Sequence, residues 1–121
     1  MAEVISITLD ELPPSTNSIW RSVGGRVLKS SKYRTWLGWA SLTIKAQARG
    51  ASIGGPFAIH VQFKAPDKRR RDLDNRLKAL IDCFVNAGVI RDDCDCRKIK
   101  AEWVTEDAPP VRAWIISTGA N

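Results

Sequence analysis

The chain has 121 residues, with 19 Lys and Arg against 13 Asp and Glu, a net charge of +6 and a pI of about 9.6. That length supports one modest core, so residues 1–121 are read as a single domain. An apolar content of 44% excludes a disordered or fibrous chain, and no apolar run is long enough to span a membrane.

Val4, Ile5, Ile7 and Leu9 read as a first strand, and their alternation is unlike a secretory apolar segment. Leu12-Pro13-Pro14-Ser15-Thr16-Asn17 is a polar loop whose prolines bar regular structure. Gly24-Gly25 marks a turn. Ser30 or Ser31 caps a helix running through Trp36, Trp39, Ala40, Ile44 and Ala48, and Gly50 with Gly54-Gly55-Pro56 ends it. Phe57, Ile59, Val61 and Phe63 alternate with smaller or polar residues and predict a half-buried strand. A second helix starts near Asp72 and stops at Gly88. On it Leu77, Leu80, Ile81 and Phe84 cover an arc of about 100°, while Asn75, Lys78 and Asp82 share a separate arc of about 60°. Two strands follow, around 99–105 and 111–117, broken by Pro109-Pro110. The order is β-α-β-α-β-β, a small α/β domain with a mixed sheet and two helices. Trp36, Trp39, Trp103 and Trp114 are expected in the core. Trp20, in a polar loop beside Arg21, is either packed locally or placed to stack on an unpaired base.

Cys83, Cys94 and Cys96 make an odd number, so no disulfide framework is implied and a reducing, cytoplasmic setting is expected. With His60 they lack the spacing of a standard zinc site. Cys83 is expected to act as a small buried residue.

Chemistry concentrates in one stretch. Between Lys64 and Lys78 seven Lys and Arg accompany three Asp. Lys68-Arg69-Arg70-Arg71 runs into Asp72 and Asp74, and Asp92-Asp93 follows the helix. Cations hold phosphates, and clustered carboxylates hold a hard cation such as magnesium. Together they suggest metal-assisted cleavage of a nucleic-acid backbone, with Lys78 stabilising charge that develops on the phosphate or leaving group. Each part has a structural explanation as well. Asp at a helix start is favoured by capping and the macrodipole. Asp74 with Lys78, and Lys78 with Asp82, are i,i+4 pairs. Asp92-Asp93 suits a solvated turn. A helix of about 15 residues is about 22 Å long, which separates Asp74 from Asp92 and Asp93 unless the chain doubles back or the helix is shorter. A two-fold dimer, with the acidic turn of one subunit against the Asp72/Asp74 end of the other, would bring them together.

The run Asp72-Leu73-Asp74-Asn75-Arg76-Leu77-Lys78, then Asp82, Gly88 and Asp92-Asp93, resembles the RusA family of Holliday junction resolvases. Pro13-Pro14-Ser15-Thr16-Asn17 and the segment from Ser31 to Trp36 extend the resemblance over nearly the whole chain. It implies a bacterial or phage-encoded homodimer that acts in DNA recombination and repair. The dimer would bind a four-way junction and nick it symmetrically in two strands, with Mg2+ or Mn2+. On this resemblance Asp72, Asp74 and Asp93 are the essential metal-binding carboxylates, Asp92 is auxiliary and Lys78 is the catalytic lysine. Asn75 and Asp82 are candidates to support them from behind, and Asp82 is read as a ligand, a partner of Lys78 or a merely exposed residue. Lys68, Arg69, Arg70, Arg71 and Arg76 are the expected DNA contacts, and Arg21, Arg26, Lys29, Lys32 and Arg34 either widen that footprint or serve solubility. Cys94-Asp95-Cys96 departs from the family pattern and adds a carboxylate, Asp95, as ligand or bystander. The rival reading is a basic nucleic-acid-binding module without catalysis, which would bind DNA and never nick it.

Overall fold

The computed structural model describes residues 3–14, 31–67 and 73–119, and the backbone alone for 20–23 and 26–29. The elements in chain order are β1 (Val4–Leu9), β2 (Trp20–Val23), β3 (Arg26–Lys29), α1 (Ser31–Ala48), β4 (Phe57–Lys64), α2 (Leu73–Asn86), a short 3-10 turn (Asp93–Asp95), β5 (Cys96–Val104) and β6 (Val111–Ser117). The main sheet has the order β1-β6-β4-β5. β1 and β4 run antiparallel to β6, while β4 and β5 are parallel. The sheet is mixed, as expected, because α2 provides the crossover that a parallel neighbour requires. The expected β-α-β-α-β-β order holds, with one addition: β2 and β3 form an antiparallel pair of their own. Trp20 therefore starts a strand instead of lying in a loop.

Alternation decides which face of the sheet is covered. Ile5, Ile7 and Leu9 of β1, Phe57, Ile59, Val61 and Phe63 of β4, and Val111, Ala113 and Ile115 of β6 are all buried in one core. α1 adds Tyr33, Trp36, Ala40, Ile44 and Ala48 at helical spacing. Past α1 the chain turns at Arg49 and Gly50, with φ of 52° and 82°. The glycine accepts that conformation without the Cβ penalty.

The two tryptophans expected in the core at 39 and 114 sit elsewhere. Trp39 is 38% exposed, because at 100° per residue it falls about 100° from Ala40, on the flank of the buried stripe. Trp114 alternates with buried Ala113 and Ile115, so it faces the opposite side of the sheet, where its ring lies 5.0 Å from that of His60. His60 also contacts the Glu102 carboxylate at 2.8 Å, and this hydrogen bond holds Glu102 below the usual carboxylate range. Trp103 does pack on the core, 5.6 Å from Phe63, though it is only half-buried.

The buried face of α2 is wider than the four apolar residues foreseen. Ala79 is sealed too, beside Cys83, whose burial was expected, because α1 packs along the flank. Ser41 Oγ lies 3.5 Å from Cys83 Sγ, and Asn86 donates to Ser41 at 2.8 Å. Burial pushes the Cys83 thiol up to about 11. It behaves as the small buried residue expected, and the sheet separates it from His60. Among the described residues no helix is long and apolar enough to cross a membrane.

Candidate active site

The polar face of α2 carries the expected residues in sequence. Asp74 stands exposed in the first turn, Lys78 is exposed one turn on, and Asp82 is half-buried a further turn on. A spacing of four residues keeps all three on one side of the helix. The axial rise from Asp74 to Asp82 is about 12 Å. Asp74 sits at the positive end of the helix macrodipole, which favours a carboxylate there.

Beyond α2 the chain brings the second acidic pair back. Gly88, with φ of 80°, ends the helix. Gly88 donates to the Val85 carbonyl at 3.0 Å and Val89 to the Phe84 carbonyl at 3.2 Å, which closes the turn. Ile90 then pairs with Ile53, and both are buried. These contacts direct the chain back along the helix, and the 3-10 turn packs against α2. The negative charge of Asp82 bears on Asp93 as a result. The chain thus doubles back, and the carboxylate whose charge it meets is Asp82, two helical turns along α2 from Asp74.

The turn itself is well determined. Asp92 accepts from the backbone N–H of Cys94 at 3.1 Å, capping the 3-10 turn. That bond, with a hydrogen bond to the Asp93 carboxyl, holds Asp92 below the usual range. Asp93 is held above it, first by the same hydrogen bond to Asp92, then by desolvation and by the charges of Asp92 and Asp82. Two neighbouring carboxylates repel each other, and a cation placed between them would relieve that repulsion.

Asp95 has a structural partner. It is buried, and its two oxygens receive Arg91 Nε and Nη2, each at 3.1 Å. This fork-to-carboxylate pair closes the turn that presents Asp92 and Asp93. Both oxygens of Asp95 are thus already engaged. Arg97 adds a hydrogen bond to the Cys94 carbonyl at 2.9 Å.

Tyr33 was not foreseen. It lies buried in the first turn of α1, and its hydroxyl is pushed up to about 12, chiefly by burial and then by the charge of Asp82. Nothing local in the sequence links it to Asp82. Arg76, expected at the DNA, sends Nη1 to the Pro13 carbonyl and so ties the start of α2 to the N-terminal loop. Asn75 is half-buried beside it. Lys68, Arg69, Arg70, Arg71 and Asp72 lie outside the described residues. Among the described residues no three His, Cys, Asp or Glu side chains converge to hold a metal ion. The donor chemistry nevertheless fits a hard cation, since the acidic groups present oxygen alone.

The family model for endodeoxyribonuclease RusA matches residues 11–115. The chain is similar to the crossover junction endodeoxyribonuclease RusA of Aquifex aeolicus, 35% identical over 92 residues that cover 75% of this chain and 73% of the relative. The Escherichia coli K12 protein of the same name is 36% identical over 98 residues, covering 78% and 81%. That of Enterobacteria phage 82 is 34% identical over 91 residues, covering 73% and 76%. The match takes in both helices and every strand except β1 and the last residues of β6. With its acidic helix face and returning Asp92-Asp93 turn, the chain belongs to the RusA endodeoxyribonuclease family.

Proposed function

We propose that this single domain is a structure-selective endodeoxyribonuclease that resolves four-way DNA junctions by paired symmetric nicks, in recombination and repair. The observation that carries the reading is the doubling back of the chain after α2. It sets Asp93 within electrostatic reach of Asp82 on the face that also bears Asp74 and Lys78. Membership of a family whose relatives are named for crossover junction cleavage supports the same substrate. Three free thiols accord with a cytoplasmic setting.

Asp72, Asp74, Asp92 and Asp93 would hold the metal, Mg2+ or Mn2+. When bound, that ion neutralises charge on the phosphate and acidifies an attacking water. Lys78 stabilises the charge developing on the phosphodiester. Lys68 to Arg71, with Arg76, draw the backbone in through contacts that carry little sequence information. Asp82 adds negative charge beside Asp93, and the Arg91-Asp95 pair fixes the turn.

Helix geometry leaves about 12 Å between the levels of Asp74 and Asp82, and Asp93 keeps company with Asp82. The Asp72/Asp74 end of one subunit is therefore completed by the Asp92-Asp93 turn of a second, and the working form is a homodimer with composite sites. Two such sites related by a two-fold axis suit a substrate of nearly two-fold symmetry.

The test is cleavage of a labelled four-way junction beside a linear duplex of the same sequence, with Mg2+, Mn2+ or EDTA. Paired nicks are expected in the junction alone, and none in EDTA. Junction binding without nicking under any metal would reduce the protein to a DNA-binding module.

A further inference from the structure

A cleft of about 1180 Å³ opens where the loop after β1, the start of α1, the end of β4 and the start of α2 meet. Trp36 and Trp39 form one wall, with Pro14 and Pro66 nearby. Its position is informative. Pro66 and Arg76 both line it, and in sequence they bracket Lys68 to Arg71 together with Asp72 and Asp74. Arg76 lies two residues after Asp74, so the cleft opens beside the start of the acidic helix face.

The lining favours one part of a nucleotide over the others. Trp39 leaves a large ring 38% exposed, an apolar surface that gains from being covered by a flat partner. Trp36 is 6% exposed, and its indole N–H has no hydrogen-bond partner among the described residues. A buried donor without an acceptor is unfavourable. Phosphate is a poor occupant, because Asp10 and Glu11 also line the cleft. Its cations are partly engaged already. Lys64 lies 3.8 Å from Asp107, and Arg76 donates to the Pro13 carbonyl. A neutral, planar ring with polar edges fits this lining better than a phosphate does.

We propose that this cleft is a subsite for an unpaired nucleobase of the DNA substrate, stacked on Trp39. The inference rests on the reading of the protein as a junction-binding enzyme, and it places at the cleft a base freed from pairing at the point of strand exchange. Trp20, the stacking candidate of the sequence, is not needed for it.

The experiment measures binding in EDTA, where no strand is cut. Wild type, Trp39→Ala and Trp39→Phe are titrated against an intact junction, the same junction with abasic sites at the exchange point, and a linear duplex. Stacking on an aromatic ring implies that Trp39→Ala weakens intact-junction binding by about 5- to 150-fold. Trp39→Phe should recover most of that affinity, and the abasic junction and duplex should not distinguish the three proteins. Equal affinity of Trp39→Ala and wild type for the intact junction overturns the subsite, as does an equal loss on the abasic junction. Wild type gives an independent reading that needs no variant. A 2-aminopurine at the exchange point should lose fluorescence on binding, and emission that stays unchanged or rises overturns the proposal. Nicking by wild type in Mg2+ is scored separately. Trp39-dependent binding without nicking refutes the nuclease and keeps the subsite, whereas nicking with no effect at Trp39 does the reverse.

Discussion

Asp74→Asn should lower the rate of junction nicking by about 10³-fold, the scale of losing a metal-holding carboxylate from a phosphoryl-transfer site. Junction affinity should be unchanged or higher, because the substitution removes a negative charge facing an anionic substrate. Asn keeps the size of the side chain at an exposed position, so folding is preserved. Asp74 is exposed, and its replacement opens no cavity. Single-turnover nicking and gel-shift titration of one preparation separate the two effects. Loss of binding in step with loss of nicking would mean that Asp74 shapes the surface and holds no metal.

Lys78→Ala should lower the nicking rate by about 10²-fold while junction affinity changes little. Lys78 stands between Asp74 and Asp82 on the same face of α2 and is exposed. If it merely screened those carboxylates from each other, it would contribute a few tenths of a kcal/mol of helix stability and nothing to the reaction. A Lys that meets charge developing in the transition state affects kcat and leaves KM nearly untouched. Unchanged kcat in Lys78→Ala, with a lowered melting temperature, would assign it to the helix alone.

Local pattern made much of this molecule legible before its structure. Alternation at Ile5, Ile7 and Leu9, and at Phe57 to Phe63, marks strands whose buried faces are those observed, because a side-chain period of two leaves one register that buries the apolar set. The α1 stripe and the Gly88 stop of α2 were readable for the same kind of reason. The features that escaped have different causes. Trp39 and Trp114 have apolar side chains, but their angular place on the element turns them from the core. The β2–β3 pair was hidden because four-residue strands carry almost no periodic signal. The return of Asp93 to Asp82 depends on the turn at Gly88 and on Ile90 pairing with Ile53, which lies 37 positions earlier. Asp95 read as a possible ligand until its partner was visible, since the Arg91 pairing exists only in the 3-10 turn. The candidate site itself was legible in composition and spacing. Its division between the two ends of one helix face was legible in length alone.

The composite site is the central claim, and mixed dimers test it most directly. Differently tagged Asp74→Asn and Asp93→Asn chains, each inactive alone, are co-expressed and the heterodimer is isolated. If each site joins the Asp74 end of one subunit to the Asp93 turn of the other, the heterodimer has one site with both substitutions and one with neither. It should then nick a four-way junction in one strand of the usual pair, in Mg2+ and not in EDTA. A heterodimer as inactive as its parents would contradict the account, because it would place Asp74 and Asp93 of a single chain in the same site.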